Sequence, residues 1–81
     1  MKLVNLKPNF HVLLHETYSI WFSYETPIAY SDDYGNLYVS NNEWSSTTGK
    51  HLNYIESDKS KRIPHNLLIS IINSSFMKGG E

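Results

Sequence analysis

Polar and apolar positions alternate from Tyr18 to Tyr24. Tyr18, Ile20, Phe22 and Tyr24 fall on one side and Ser19, Trp21 and Ser23 on the other. Period two is the mark of a β-strand, and the aromatic content suits a pleated surface. Trp21 gives the second side an apolar body as well, so this strand is expected to meet a helix or an interface there. Ser19, Trp21 and Ser23 are therefore the candidate oligomer face. Thr26-Pro27 leads into Ile28-Ala29-Tyr30. Pro27 cannot donate to a ladder, which suits the start of a strand or a sheet edge. Ser31-Asp32-Asp33-Tyr34-Gly35-Asn36 is a dense turn cluster, and Leu37-Tyr38-Val39-Ser40 resumes the alternation. Ile28–Ser31 and Asn36–Ser40 thus predict a β-hairpin, and short connections predict a meander of neighbouring antiparallel strands. Phe10 to His15 reads equally as a short strand or a first helical turn. Residues 1–9 read as a polar lead-in broken at Pro8-Asn9.

The pattern changes after Asn41. Ser45, Ser46, Thr47 and Thr48 are consecutive hydroxyl residues, good N-cap material, and Leu52 and Ile55 stand three apart as on one helical face. A short helix near 47–55 follows, with Gly49 costing about 1 kcal/mol relative to Ala inside it. Glu56 to Arg62 reads as a charged loop, and Pro64 suits the first turn of a second helix. Leu67, Leu68, Ile71, Ile72 and Phe76 make its 3.6-period stripe, near 64–75. Residues 1–9 and 77–81 are expected to fray. The expected fold is α+β: a three- to four-stranded antiparallel meander with a short helix near 47–55 and one main, C-terminal helix near 64–75 packed on one face.

Length confines this to one domain, since 81 residues bury only a thin core. The absence of cysteine removes disulfides, thiolate zinc sites and thiol catalysis. A formal net charge of −1 excludes a globally basic nucleic-acid coat. The charge is unevenly spread: residues 1–40 carry two Lys against four acidic residues, and residues 41–81 carry five Lys+Arg against four. No apolar run has the length of a signal peptide or a membrane span, so a cytoplasmic protein is expected, with no membrane partner.

Most catalytic constellations fail on inspection. A phosphate loop ending at Gly49-Lys50 needs glycine at position 44 and a hydroxyl at position 51, where Trp44 and His51 stand. His11 and His15 have helical metal-ligand spacing but no catalytic Glu between them, and on a strand they would lie about 13 Å apart. The hydroxyls near His51 lack a third group and a nucleophile elbow. A non-enzymatic protein without cofactor or metal is expected.

The segment Trp44 to Asn53 combines an aromatic ring, hydroxyls, a cation and an imidazole at a helix N-terminus, where unpaired N–H groups favour anions. Lys50, Lys59, Lys61 and Arg62 lie within thirteen residues. Trp44, Thr47, Thr48, Lys50, His51, Asn53, Lys59, Lys61 and Arg62 are therefore the candidate contacts to phosphates or a partner, with Trp44 or Tyr54 available to stack on a base.

Tyr18 to Tyr30, Gly35 to Ser40, Trp44 to Asn53 and Lys61 to Pro64 resemble small phage- and prophage-encoded domains of uncharacterised function. The run Trp-x-x-Thr-Thr-x-x-His-Leu-Asn, from Trp44 to Asn53, is the most specific part. The resemblance covers roughly residues 18–73 and implies a viral or mobile-element origin, with the host cytoplasm as location. It carries no catalytic residues. The expected partner is nucleic acid or a host nucleic-acid-handling protein. The alternative is a protein-binding inhibitor or accessory factor acting on a host defence system, as a monomer or a homodimer.

Overall fold

The computed structural model describes the backbone of residues 1–79 and the side chains of residues 1–75. Its strands are β1 (Lys2–Lys7), β2 (Phe10–Leu14), β3 (Ser19–Ser23), β4 (Thr26–Ser31), β5 (Leu37–Ser40) and β6 (Arg62–Ile63). Its helices are α1 (Ser46–Ile55), between β5 and β6, and α2 (His65–Gly79). The strands form one six-stranded sheet in sequence order. Neighbours from β1 to β5 pair antiparallel, while β6 returns parallel to β5 after α1. The sheet is therefore wider than the expected three to four strands.

The two extra members come from tertiary pairing. Lys2–Lys7 forms β1 on the edge of β2, from Lys2↔Leu14 to Lys7↔Phe10, where the pattern alone suggested a polar lead-in. Its side chains are exposed or half-buried, so little apolar periodicity announces it. The segment Arg62–Ile63 is too short to carry any period and is placed by the β5–α1–β6 crossover that parallel pairing requires.

Pro27 sits inside a central strand. The β3–β4 register runs Trp21↔Ala29 and then Phe22↔Pro27, which leaves Ile28 as the extra residue of a bulge. On the other side, pairing with β5 covers only Ala29 to Ser31. No ladder on that side asks Pro27 for the N–H it lacks.

The alternation along each strand sorts the core into two layers. Phe10, Ile28, Ala29 and Val39 meet Leu52 of α1, with half-buried Leu6, Trp21 and Ile55 around them. Ile20 and Tyr30 meet Leu68 and Ile72 of α2, with half-buried Tyr18, Phe22, Tyr38, Ile63 and Ile71 around them. Neighbours along one strand divide between the layers: Trp21 from Ile20, Ala29 from Tyr30, Val39 from Tyr38. Both helices lie across β4 and β5. The two helices thus cover opposite faces: α2 lies across the face of Ile20 and Tyr30, and α1 covers the face that holds Trp21.

That arrangement sets the candidate oligomer face on the α1 side of the sheet. Trp21 is covered by the α1 layer of its own chain. Ser23 is 2% exposed, inside the same layer, and Ser19 is half-buried. Of the α2 stripe, Leu68 and Ile72 are buried. The side chain of Phe76 lies outside the described residues, as do Gly80 and Glu81 at the tail expected to fray.

Candidate functional site

The helix α1 starts where the hydroxyl cluster suggests. Ser45 takes an extended N-cap conformation, but its side chain makes no cap hydrogen bond. Asn42 shapes the approach instead, its Oδ1 accepting from the Trp44 N–H at 3.1 Å. A Cβ added at Gly49 would stand 2.9 Å from the Asn42 amide nitrogen. The outer end of the Asn42 side chain lies over Gly49 and would have to shift to admit a Cβ there.

Helical spacing then divides the Trp44–Asn53 run into two faces. Thr48, His51 and Leu52 are buried and Ile55 is half-buried, at i, i+3, i+4 and i+7. The Ser23 hydroxyl lies 2.7 Å from His51 Nδ1 and 3.0 Å from the Thr48 hydroxyl. The Phe10 ring covers the imidazole, with centroids 4.6 Å apart and planes inclined by 7°. Thr48 and His51, two of the expected contact residues, are therefore interior groups, each satisfied by the Ser23 hydroxyl, and lie inside the fold rather than on its surface.

A hydroxyl within hydrogen-bond reach of an imidazole is the pairing of nucleophile and base. Here Ser23 is 2% and His51 5% exposed, and the third member is a hydroxyl bonded to the serine. Among the described residues no carboxylate orients the ring, and Phe10 stacks over it, so the cluster reads as a polar tie between β3 and α1. Burial, then the positive charge of Lys7, hold the His51 pKa below its usual 6.5. The unfolded chain therefore binds a proton that the folded chain resists. Stability from this group is complete above pH 6.5 and is lost as the pH falls through the folded pKa. Urea denaturation between pH 8 and pH 5 should show the midpoint falling below pH 6.5, with a smaller fall in His51→Phe. An equal acid response in both proteins would contradict this account.

The basic loop is also partly consumed by the fold. Arg62 Nη2 donates to Asn53 Oδ1 at 2.7 Å and to the Glu56 carbonyl at 2.9 Å, where α1 ends. A cation on the last carbonyls of a helix is a favourable C-terminal partner. Arg62 and Asn53 thus tie the loop back to the helix and are engaged with each other. Lys61 lies 4.0 Å from the Glu56 carboxylate, and Asp58 organises the 3₁₀ turn Lys59–Lys61 by accepting from the Ser60 N–H. Lys59 remains exposed. Trp44 stands edge-on to His65, at 4.7 Å and 85°, beside the Glu43 carboxylate that accepts from the His65 N–H at the start of α2.

The opposite face of α1 is open. Thr47, Lys50 and Tyr54 are exposed, at i, i+3 and i+7. The Tyr54 ring meets Phe10 edge-on at 5.4 Å, and Lys7 Nζ lies 5.2 Å from its centroid. Lys7 is the residue the sequence reading missed. Only the β1–β2 ladder brings it beside α1, and its local sequence gives no sign of that. Among the described residues, His11 stacks on Phe22 and His15 on Tyr18, and no three potential ligands gather for a metal ion.

A second feature lies at one end of the sheet. Among the described residues, Asn9 and Tyr24 are the non-glycine residues with positive φ, at 61° and 57°, and the Tyr24 N–H donates to the Asn9 carbonyl at 2.7 Å. Both line an open groove of about 690 Å³ with Asn5, His11, Glu25 and Thr26. Asn tolerates the left-handed region, but Tyr24 stands at the first position of a two-residue hairpin loop, where glycine is favoured.

These observations define a small α+β domain with helices on both faces of a mixed sheet and an exposed aromatic-cationic stripe on α1. The chain belongs to a family of unknown function, DUF8033, whose model matches residues 1–69. That span includes β1 and β2, so the N-terminal strands are part of the family's domain and not a preface to it. No curated protein and no solved structure matches the chain. Among the described residues no helix is long and apolar enough to cross a membrane.

Proposed function

We propose that this domain is a non-enzymatic module, of phage type, that binds single-stranded nucleic acid along the outer face of α1. The observation that carries the reading is Tyr54, 58% exposed, with Lys7 Nζ 5.2 Å from its ring and Lys50 one helical turn away. A base stacks on an aromatic ring whatever its identity, while flanking cations neutralise the adjoining phosphates. Thr47 and the N–H groups of the first turn of α1 add donors on the same side. Relative to the sequence reading, the interface keeps Thr47, Lys50 and the stacking ring of Tyr54, gains Lys7, and loses Thr48, His51, Asn53 and Arg62. Trp44 and Lys59 stand just before and after α1 in the chain.

Fluorescence anisotropy with a labelled twelve-nucleotide oligothymidylate tests this. Contact with about three phosphates gives a slope of log K against log salt near −2 for a single strand. Tyr54→Ala should weaken binding by about tenfold or more, since one stacked base is worth about 1–3 kcal/mol. Lys50→Glu should weaken binding and flatten the salt slope. Absence of binding at 50 mM salt would remove the proposal.

A further inference from the structure

The two edges of the sheet are unlike. One ends in the two-residue β6, whose short length blunts it. The other ends in β1, six residues long, whose outer N–H and C=O groups face no strand. A long open edge is a template for a further strand, and natural proteins normally guard it. Here the guards are Lys2 and Lys7, one at each end of the strand.

Their chemistry selects between occupants. The chain has no carboxylate before Glu16, while Lys2, Lys7, His11 and His15 fall in its first fifteen residues. A second copy pairing antiparallel through the middle of β1 would set Lys2 against Lys7, and like charges directly opposite are destabilising. An acidic strand in the same place would meet a cation at each end.

The register supplies the rest of the pattern. Lys2 pairs with Leu14, Val4 with Val12 and Lys7 with Phe10, so both lysines share the α1 side of the sheet. Leu3 pairs with Leu13, which pairs with Ile20, and so stands on the α2 side. That side is bare at this edge: Leu3 is 60% exposed and Ile20 only 4%.

We propose that β1 is the docking edge for an extended acidic segment of a partner protein. The segment adds as a seventh strand, with carboxylates toward Lys2 and Lys7 and apolar residues at alternate positions beside Leu3. The ladder supplies affinity, and the alternate side chains supply specificity. This edge is distinct from the Lys50–Tyr54 stripe of the preceding proposal, and only Lys7 is common to both.

Three capped synthetic peptides test it: Gly-Glu-Val-Thr-Val-Glu-Gly, its Glu-to-Lys counterpart, and a version with proline for threonine. Amide hydrogen exchange and chemical shifts of the labelled protein are followed at millimolar peptide. The acidic peptide should slow exchange of the outward-facing amides of β1, and neither control should. Lys2→Glu should weaken that peptide by about fivefold, the loss of one cross-strand pair worth about 1 kcal/mol, and leave oligothymidylate binding unchanged. Tyr54→Ala should do the reverse. Three results overturn the proposal: equal protection by the lysine peptide, protection away from β1, or none at all. A doubling of mass with concentration in the absence of peptide, with β1 protected, also overturns it and assigns the edge to a second copy.

Discussion

Phe10→Ala is expected to remove about 4 kcal/mol of folding stability, within the range for emptying a buried aromatic site. The side chain is fully buried on the α1 side of the sheet. It packs with Ile28, Ala29, Val39 and Leu52, stacks on His51 and takes the edge of Tyr54. Alanine would leave a cavity against three elements, and the loss would be a large share of the 5–15 kcal/mol of an ordinary domain. It would also uncover the Ser23–His51 hydrogen bond. Water reaching the imidazole weakens the burial that lowers its pKa, so the His51 titration should move up toward 6.5. Chemical denaturation reads the first effect and NMR titration of the ring protons reads the second. A loss under about 2 kcal/mol, or a His51 titration that stays in place, would contradict the assigned packing.

Leu52→Ala and Leu68→Ala are expected to cost about 3 kcal/mol each, because both leucines are fully buried. They occupy different layers, Leu52 under α1 and Leu68 under α2, with the sheet between them. Substitutions that share no partner add to within a few tenths of a kcal/mol. The double variant should therefore lose about 6 kcal/mol, enough to unfold many domains of this size. Were both helices on one face, the two leucines would share a core and the costs would couple. Equilibrium urea unfolding of the two single variants and the double variant separates these cases. A coupling energy above about 1 kcal/mol would speak for a shared core.

Alternation was enough to place β3, β4 and β5, because a half-buried strand needs side chains sorted by side. It also announced both faces of β3, through Ile20 and Phe22 on one side and Trp21 on the other. What covers the second face was not readable. An aromatic side chain meets a helix of its own chain and a second copy with the same physics, and neither partner is written in the strand. Hydroxyl clustering placed the start of α1, but only the fold showed that Ser23 lies opposite Thr48 and His51. Residues 25 and 28 apart are joined by no local pattern.

The same division runs through the candidate site. The sequence by itself determined the chemistry present: no thiols, no phosphate loop, a near-neutral charge, and an aromatic-hydroxyl-cation segment leading into a charged loop. Tertiary structure decided which of those groups face water. Helical period turned Thr48 and His51 inward and Lys50 and Tyr54 outward, and Arg62 was drawn onto the carbonyl at the end of α1. It also decided that Lys7 reaches Tyr54 and that β1 is left with an open edge. Propensity, period and turn chemistry act over a few residues and can be read along the chain. Strand order, the face each helix takes and the pairing of distant polar groups depend on contacts between distant segments, and those exist only once the chain has folded.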